Sequence, residues 1–192
     1  MKNNFRQFGL IGYPLSHSFS KKYFAQKFER EGIENCHYEL YPIETIEEFP
    51  KLIEQDPNLV GINVTIPYKQ LIFKYLDEIE KSANEVGAVN TIKISNGKLK
   101  GYNTDVYGFQ KSLKEFLNGQ KVKALILGTG GAAKAVAYVL NKMNIDFLYV
   151  SRKSKNGVLT YTELDKFLIE EHTLIINTTP LGMSPNLDSA PD

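Results

Sequence analysis

Short apolar runs bounded by Gly, Pro, Asn and Asp alternate along this chain with stretches whose apolar positions recur every three or four residues. That alternation predicts an α/β architecture. Residues 8–12, 37–41 and 59–64 read as strands. Between the first two, a loop from Tyr13 to Phe19 leads into a helix over 20–31, closed by Gly32 in the position that favours a left-handed residue. Thr45-Ile46-Glu47-Glu48 has the form of a capping box, with Pro50 delaying the helix it opens. Residues 69–76 read as a further helix. Strands over 91–95 and 98–101 flank Asn96-Gly97, a type I′ hairpin signal. Val106, Phe109, Leu113, Phe116 and Leu117 then make a helical stripe that ends at Asn118-Gly119.

The pattern changes character after that helix. Residues 122–127 form a buried strand running straight into Gly128-Thr129-Gly130-Gly131-Ala132-Ala133, and a helix rich in Ala, Val and Leu follows over 132–142. Strand, glycine turn and helix in this order make a dinucleotide-binding unit, because glycines admit the pyrophosphate to the backbone and the helix N-terminus faces it. The alternative is a turn whose glycines serve only close packing of helix on strand. The next strand, over 146–150, ends at Ser151-Arg152-Lys153. An enzyme that prefers NAD places Asp or Glu there, about 20 residues past the glycines, for the ribose 2′-hydroxyl. A hydroxyl and two cations suit a 2′-phosphate instead, and so point to NADP. A further strand is expected near Leu174.

Composition narrows the function classes. A length of 192 residues fits one large or two small domains, and 42% hydrophobic with 23% charged residues describes an ordinary globular protein. A net charge of +1 gives no field to gather nucleic acid or an anionic membrane. Cys36 is the only cysteine, which excludes an internal disulfide and fits a reducing compartment. Neither a secretory signal nor a membrane-spanning run is visible, so a cytoplasmic location is expected. No metal site is expected.

The densest chemistry lies in Asn63-Val64-Thr65-Ile66-Pro67-Tyr68-Lys69, at the mouth of the 59–64 strand. Pro67 ends the ladder there. Lys69 then stands near the start of the expected helix, where the dipole disfavours an ammonium. A cation so placed, beside Asn63 and Thr65, suits chemistry better than stability. Tyr38, Tyr41 and Tyr68 read as half-buried packing.

With this heptapeptide and the Gly128 turn stand Gly12-Tyr13-Pro14-Leu15-Ser16-His17-Ser18-Phe19-Ser20, Gly87-Ala88-Val89-Asn90-Thr91, Gly101-Tyr102-Asn103-Thr104-Asp105 and Asn177-Thr178-Thr179-Pro180-Leu181-Gly182-Met183. The set closely resembles the shikimate dehydrogenase family nearly end to end. The resemblance implies a substrate-binding α/β domain over 1–103 and a Rossmann-like NADP-binding domain over 104–192, with the active site in the cleft between them. It implies NADPH-dependent reduction of 3-dehydroshikimate to shikimate, on the route to chorismate and the aromatic amino acids. It also implies roles for residues. Ser18 and Ser20 would bind the substrate carboxylate. Thr65, Asn90 and Asp105 would hold the ring hydroxyls, and Lys69 would be the catalytic lysine in a proton network with Asp105. Gly128, Thr129, Gly130, Gly131, Ala132, Ser151, Arg152 and Lys153 would bind the cofactor. Ser18 and Ser20 have a plainer reading as helix caps, and Asp105 as the N-cap of its helix.

Two departures accompany the resemblance. Where the family has proline and then a His-Asn pair, this chain has Lys21 and Tyr23-Phe24. The chain also ends at Asp192, where the family continues with further strands and a helix carrying a substrate-contacting glutamine. A C-terminal truncation, with an incomplete nicotinamide site and poor catalysis, is the expectation. The alternatives are a quinate/shikimate-type dehydrogenase and a non-catalytic shikimate- or nucleotide-binding module. The expected partners are small molecules alone, with the protein a monomer or a homodimer.

Overall fold

A computed structural model of the chain describes residues 5–183 and 186–191. The first four residues of the N-terminal run read for a signal, and the terminal Asp192, lie outside the described residues. The chain divides into two units, Met1–Asn103 and Thr104–Asp192.

The first unit is built on a mixed six-stranded sheet. Its strands are β1 (Arg6–Ile11), β2 (Cys36–Tyr41), β3 (Leu59–Val64), β4 (Glu78–Ile79), β5 (Thr91–Ser95) and β6 (Lys98–Tyr102), in the order β2-β1-β3-β5-β6-β4. β1 runs parallel to β2 and β3, whereas β5 runs antiparallel to β3 and β6. Successive residues of β1 point to opposite faces, so the apolar run builds two cores at once. Ile11 joins Ile62, Val64, Ile72, Val89 and Ile92 on one face, with Phe49 of α2 (Phe49–Gln55). Leu10 packs on the other face with Tyr38, Phe24 and Phe28, the last two from α1 (Ser20–Arg30). Phe49 is fully buried, and removing such a side chain from water contributes about 1.5–3 kcal/mol.

Local sequence signals explain most boundaries. Gly32 adopts a φ of 62° just past α1, and Asn96 and Gly97 adopt 52° and 71° in the β5–β6 turn, as a type I′ hairpin requires. The Thr45–Glu48 capping box forms, but it opens a 3-10 turn over Ile46–Glu48, and α2 starts only at Phe49 with Pro50 in its first turn. α3 (Lys81–Val86), six residues long, is too short to show a period.

The 69–76 helix is a correction. The chain forms a 3-10 helix over Leu71–Tyr75, with Lys69 and Gln70 ahead of it. The Lys69 carbonyl accepts a hydrogen bond from the Val89 N–H at 2.8 Å, so the loop before β5 takes the acceptor that a regular helix would use. The helix-dipole argument for Lys69 therefore falls away.

The second unit has a four-stranded sheet of β7 (Ala124–Leu127), β8 (Phe147–Ser151), β9 (Val158–Thr160) and β10 (Leu174–Asn177) in the order β10-β7-β8-β9, parallel throughout. Helices α4 (Thr104–Leu117), α5 (Gly131–Lys142) and α6 (Lys166–Glu171) accompany it. α5 buries Ala133, Val136, Val139 and Leu140, and small side chains let it approach closely. β9 is not foreseen in the sequence. Its presence puts the Leu174 strand on the far side of β7, so the strand order reverses between β7 and β10. That reversal is the switch point at which doubly wound sheets bind ligands.

Candidate functional site

Strand direction gathers the chemistry of the first unit at one sheet edge. β1 and β3 are parallel and in register at Ile11 and Val64, so both run out at the same edge. The loop bearing Ser18 and Ser20 follows β1, and the Thr65–Lys69 segment follows β3. β5 is antiparallel, which places Asn90 before its start at that edge, and β6 brings Asn103 to it. Backbone bonds tie these segments together. Thr65 N–H donates to Ile11 O at 3.0 Å, Tyr13 N–H to Ile66 O at 3.1 Å, and Asn90 N–H to Tyr102 O at 3.0 Å. Asp105 lies two residues past Asn103, in the first turn of α4 rather than at its cap.

Each side chain has a defined setting. Ser18 Oγ accepts from the Ser20 N–H at 3.3 Å, turning the chain into α1, whose first residue is Ser20. Both serines are half-buried, as are Thr65 and Lys69. Tyr68, beside Lys69, is buried and donates its hydroxyl to Ile43 O at 2.7 Å, and burial raises its pKa above the ordinary phenol value. Tyr68 is thus an anchor that fixes where Lys69 leaves the backbone. Asn90 and Asn103 are buried, and Asn103 Nδ2 donates to Ala88 O at 2.8 Å.

Gly12 is required by close approach. A Cβ there would stand 2.4 Å from the Thr65 methyl group and 3.0 Å from Ile66 O. Gly12→Ala is therefore expected to lower unfolding stability by about 1–3 kcal/mol and to displace Thr65. Urea unfolding checks this, and an unchanged stability would show that the loop yields freely.

One feature of this edge is not legible in sequence. Tyr38 of β2 donates to Asn63 Oδ1 at 2.8 Å, Asn63 Nδ2 to Thr91 Oγ1 at 3.3 Å, and Thr91 Oγ1 to Asn90 Oδ1 at 3.1 Å. Only the pairing of strands distant in sequence reveals this line of polar groups.

In the second unit, Gly128 has a φ of 109°, outside the range of most side chains, and its N–H donates to Val150 O at 2.8 Å. A Cβ at Gly128 would also meet Thr178 Oγ1 at 2.8 Å, while the Thr178 hydroxyl and N–H both donate to Leu127 O. At Gly130 a Cβ would project into open space, and this residue precedes α5 without any side-chain cap. Thr129 to Ala132 are exposed or half-buried. The N-terminus of α5 thus offers backbone N–H groups and the positive end of a twelve-residue helix to an anion. Ser151 ends β8, and Arg152 and Lys153 follow it, exposed, at the same edge as Gly128 because Leu127 and Val150 are in parallel register. A dinucleotide phosphate fits this donor set. Among the described residues, no group of three His, Cys, Asp or Glu side chains is placed to hold a metal ion. No described helix is long and apolar enough to cross a membrane.

Comparison with known proteins places these features in a family. Residues 10–92 match the model of the shikimate dehydrogenase substrate binding domain. The chain is 44% identical over 195 residues to a shikimate dehydrogenase (NADP(+)) of Clostridium beijerinckii, covering 96% of this chain and 71% of that protein. The crystal structure of shikimate dehydrogenase from Aquifex aeolicus superposes with a TM-score of 0.84 at 33% identity, over 100% of this chain and 74% of the other. A Thermus thermophilus shikimate 5-dehydrogenase, solved in complex with NADP(H) and shikimate, gives 0.83 at 30% identity over 97% and 72%. With identity of this level across nearly its whole length, the chain belongs to the shikimate dehydrogenase family.

Proposed function

We propose that this chain catalyses the reversible NADP-dependent interconversion of 3-dehydroshikimate and shikimate, a step toward chorismate and the aromatic amino acids. What supports this reading most is that the segments carrying Ser18, Ser20, Thr65, Lys69 and Asn90 all adjoin strand ends at one edge of the first sheet. Three hydroxyls, an ammonium and a carboxamide match the chemistry of a small polyhydroxylated ring acid. Residues 1–103 are assigned to the substrate and 104–192 to the cofactor.

The roles follow from chemistry. Ser18 and Ser20 donate hydrogen bonds to the carboxylate. Thr65, Asn90 and Asp105 bind the ring hydroxyls. NADPH, when bound, supplies the hydride. As the carbinol is oxidised, a proton must also leave its oxygen, and Lys69 takes it as general base and returns it in the reduction. Asp105 is assigned a share in that proton transfer. The N–H groups of Gly128, Thr129, Gly130, Gly131 and Ala132 hold the pyrophosphate, and Ser151, Arg152 and Lys153 hold the 2′-phosphate.

A cytoplasmic protein acting on small molecules, without nucleic-acid or membrane partners and as a monomer or homodimer, is part of this reading. The lone Cys36 supports the cytoplasmic location, and the net charge of +1 the lack of nucleic-acid or membrane partners. Calorimetric titration with shikimate, quinate, NADP and NAD tests the assignment. Saturable binding of shikimate and tighter binding of NADP than NAD are expected. Equal binding of shikimate and quinate would favour the broader specificity, and binding of neither would remove the substrate assignment.

A further inference from the structure

The hydrogen-bonded line through Tyr38, Asn63 and Thr91 ends on Asn90, yet Tyr38 begins two strands away. β1 lies between β2 and β3 in the sheet, so the phenol must pass over β1 to reach Asn63. Neighbouring strands are about 4.8 Å apart, and the two intervals are bridged by the long phenol of Tyr38 meeting the side chain of Asn63. The ring is held on the way. Phe24 of α1 stacks on it with centroids 4.4 Å apart and planes 10° from parallel. Tyr38 is buried, with only 6% of its surface exposed. Phe8, Phe24 and Phe28 line a largely apolar pocket of about 260 Å³, partly open to solvent, beside Tyr38, Asn63 and Thr91.

The line has a polarity. The phenol donates, so the Asn63 oxygen must accept and its NH₂ must face Thr91. Thr91 Oγ1 then receives that bond and spends its own proton on Asn90 Oδ1. The Asn90 carboxamide is thereby oriented with its oxygen toward Thr91 and its NH₂ turned elsewhere. Asn63 Nδ2 also lies 3.5 Å from Asn90 O, and Val64 N–H donates to that carbonyl at 2.8 Å, so the backbone of Asn90 is fixed as well.

We propose that Tyr38 is a positioning residue of the dehydrogenase site, setting through Asn63 and Thr91 the orientation of the Asn90 carboxamide that meets a ring hydroxyl of the substrate. The proposal deepens the functional reading above and rests on it. Burial pushes the Tyr38 hydroxyl up to about 12, against a smaller pull downward from the neighbouring Ser20 side chain, so the phenol stays protonated and the polarity of the line holds at neutral pH.

A double-mutant cycle tests the proposal, read out by calorimetric titration of shikimate and of NADP into the wild-type chain, Tyr38→Phe, Asn90→Ala and the pair. Tyr38→Phe keeps the ring and its stack on Phe24 and removes only the hydroxyl. It is expected to weaken shikimate about tenfold, the scale of one hydrogen bond, and to leave NADP unchanged. In the pair, shikimate should bind no more weakly than in Asn90→Ala alone, because Tyr38 acts through Asn90. Thr91→Val cuts the same line nearer its end and should match Tyr38→Phe, so it carries the test if Tyr38→Phe does not fold. Additive losses, or wild-type affinity in Tyr38→Phe or Thr91→Val, would overturn the relay while leaving the functional reading intact. A wild-type chain that bound no shikimate would instead remove that reading, and the proposal with it.

Discussion

Replacing Lys69 with alanine is expected to lower kcat by about 10²–10⁴-fold while shikimate affinity changes far less, because general acid–base catalysis contributes on that scale. The expectation comes from how the residue is held. Tyr68 is locked beside it by a hydroxyl bond to Ile43 O, and the Lys69 carbonyl is pinned by Val89 N–H, so the half-buried side chain leaves from a fixed backbone position. A base that leaves a fixed backbone position at a polar edge is suited to move a proton at one atom. Alanine keeps the turn, since the Lys69 contact to Val89 is made by the main chain. Steady-state kinetics of shikimate oxidation over a range of both substrates separates the alternatives. A variant with near-normal kcat and a raised KM would make Lys69 a binding residue.

Replacing Arg152 with alanine is expected to weaken NADP by about 10–100-fold and NAD much less, erasing most of the preference between them. The range follows from charge-assisted hydrogen bonds at about 1.5–3 kcal/mol. Arg152 follows the end of β8, at the sheet edge where Gly128 follows the neighbouring strand, and it is exposed together with Lys153. The position takes an acid in enzymes that bind the free ribose hydroxyl. Titration of both cofactors into wild-type and variant checks the prediction. Equal losses for NADP and NAD would show that Arg152 does not read the 2′-phosphate.

Much of the fold could be read from the chain because its signals are local. Leu59–Val64 is apolar apart from Gly61 and Asn63 and forms the strand expected of it, and Asn96-Gly97 can turn the chain through positive φ. The α/β class and the glycine turn before α5 follow from the same kind of evidence. Short elements left no trace. β4 has two residues, β9 three and α3 six, fewer than a period needs to show itself. The 69–76 stretch has the local pattern of a regular helix and does not form one, because the Val89 N–H that takes the Lys69 carbonyl lies 20 residues further on. Tyr38 shows the same limit within the site. Its neighbours in sequence suggest packing, and it does pack on Phe24, but its hydroxyl finds Asn63 only through strand order. Sequence motifs named the residues that chemistry demands, while the groups that orient them depend on long-range register.

The claim that the polar edge of the first unit and the glycine turn of the second serve one redox reaction is tested most directly by turnover. Purified chain is mixed with shikimate and NADP, and the absorbance of the reduced nicotinamide is followed, with quinate and NAD as the competing pair. The account predicts reduction of NADP that depends on shikimate, exceeds the rate with NAD, and disappears in Lys69→Ala. No shikimate-dependent reduction in a folded chain that binds both ligands would contradict it.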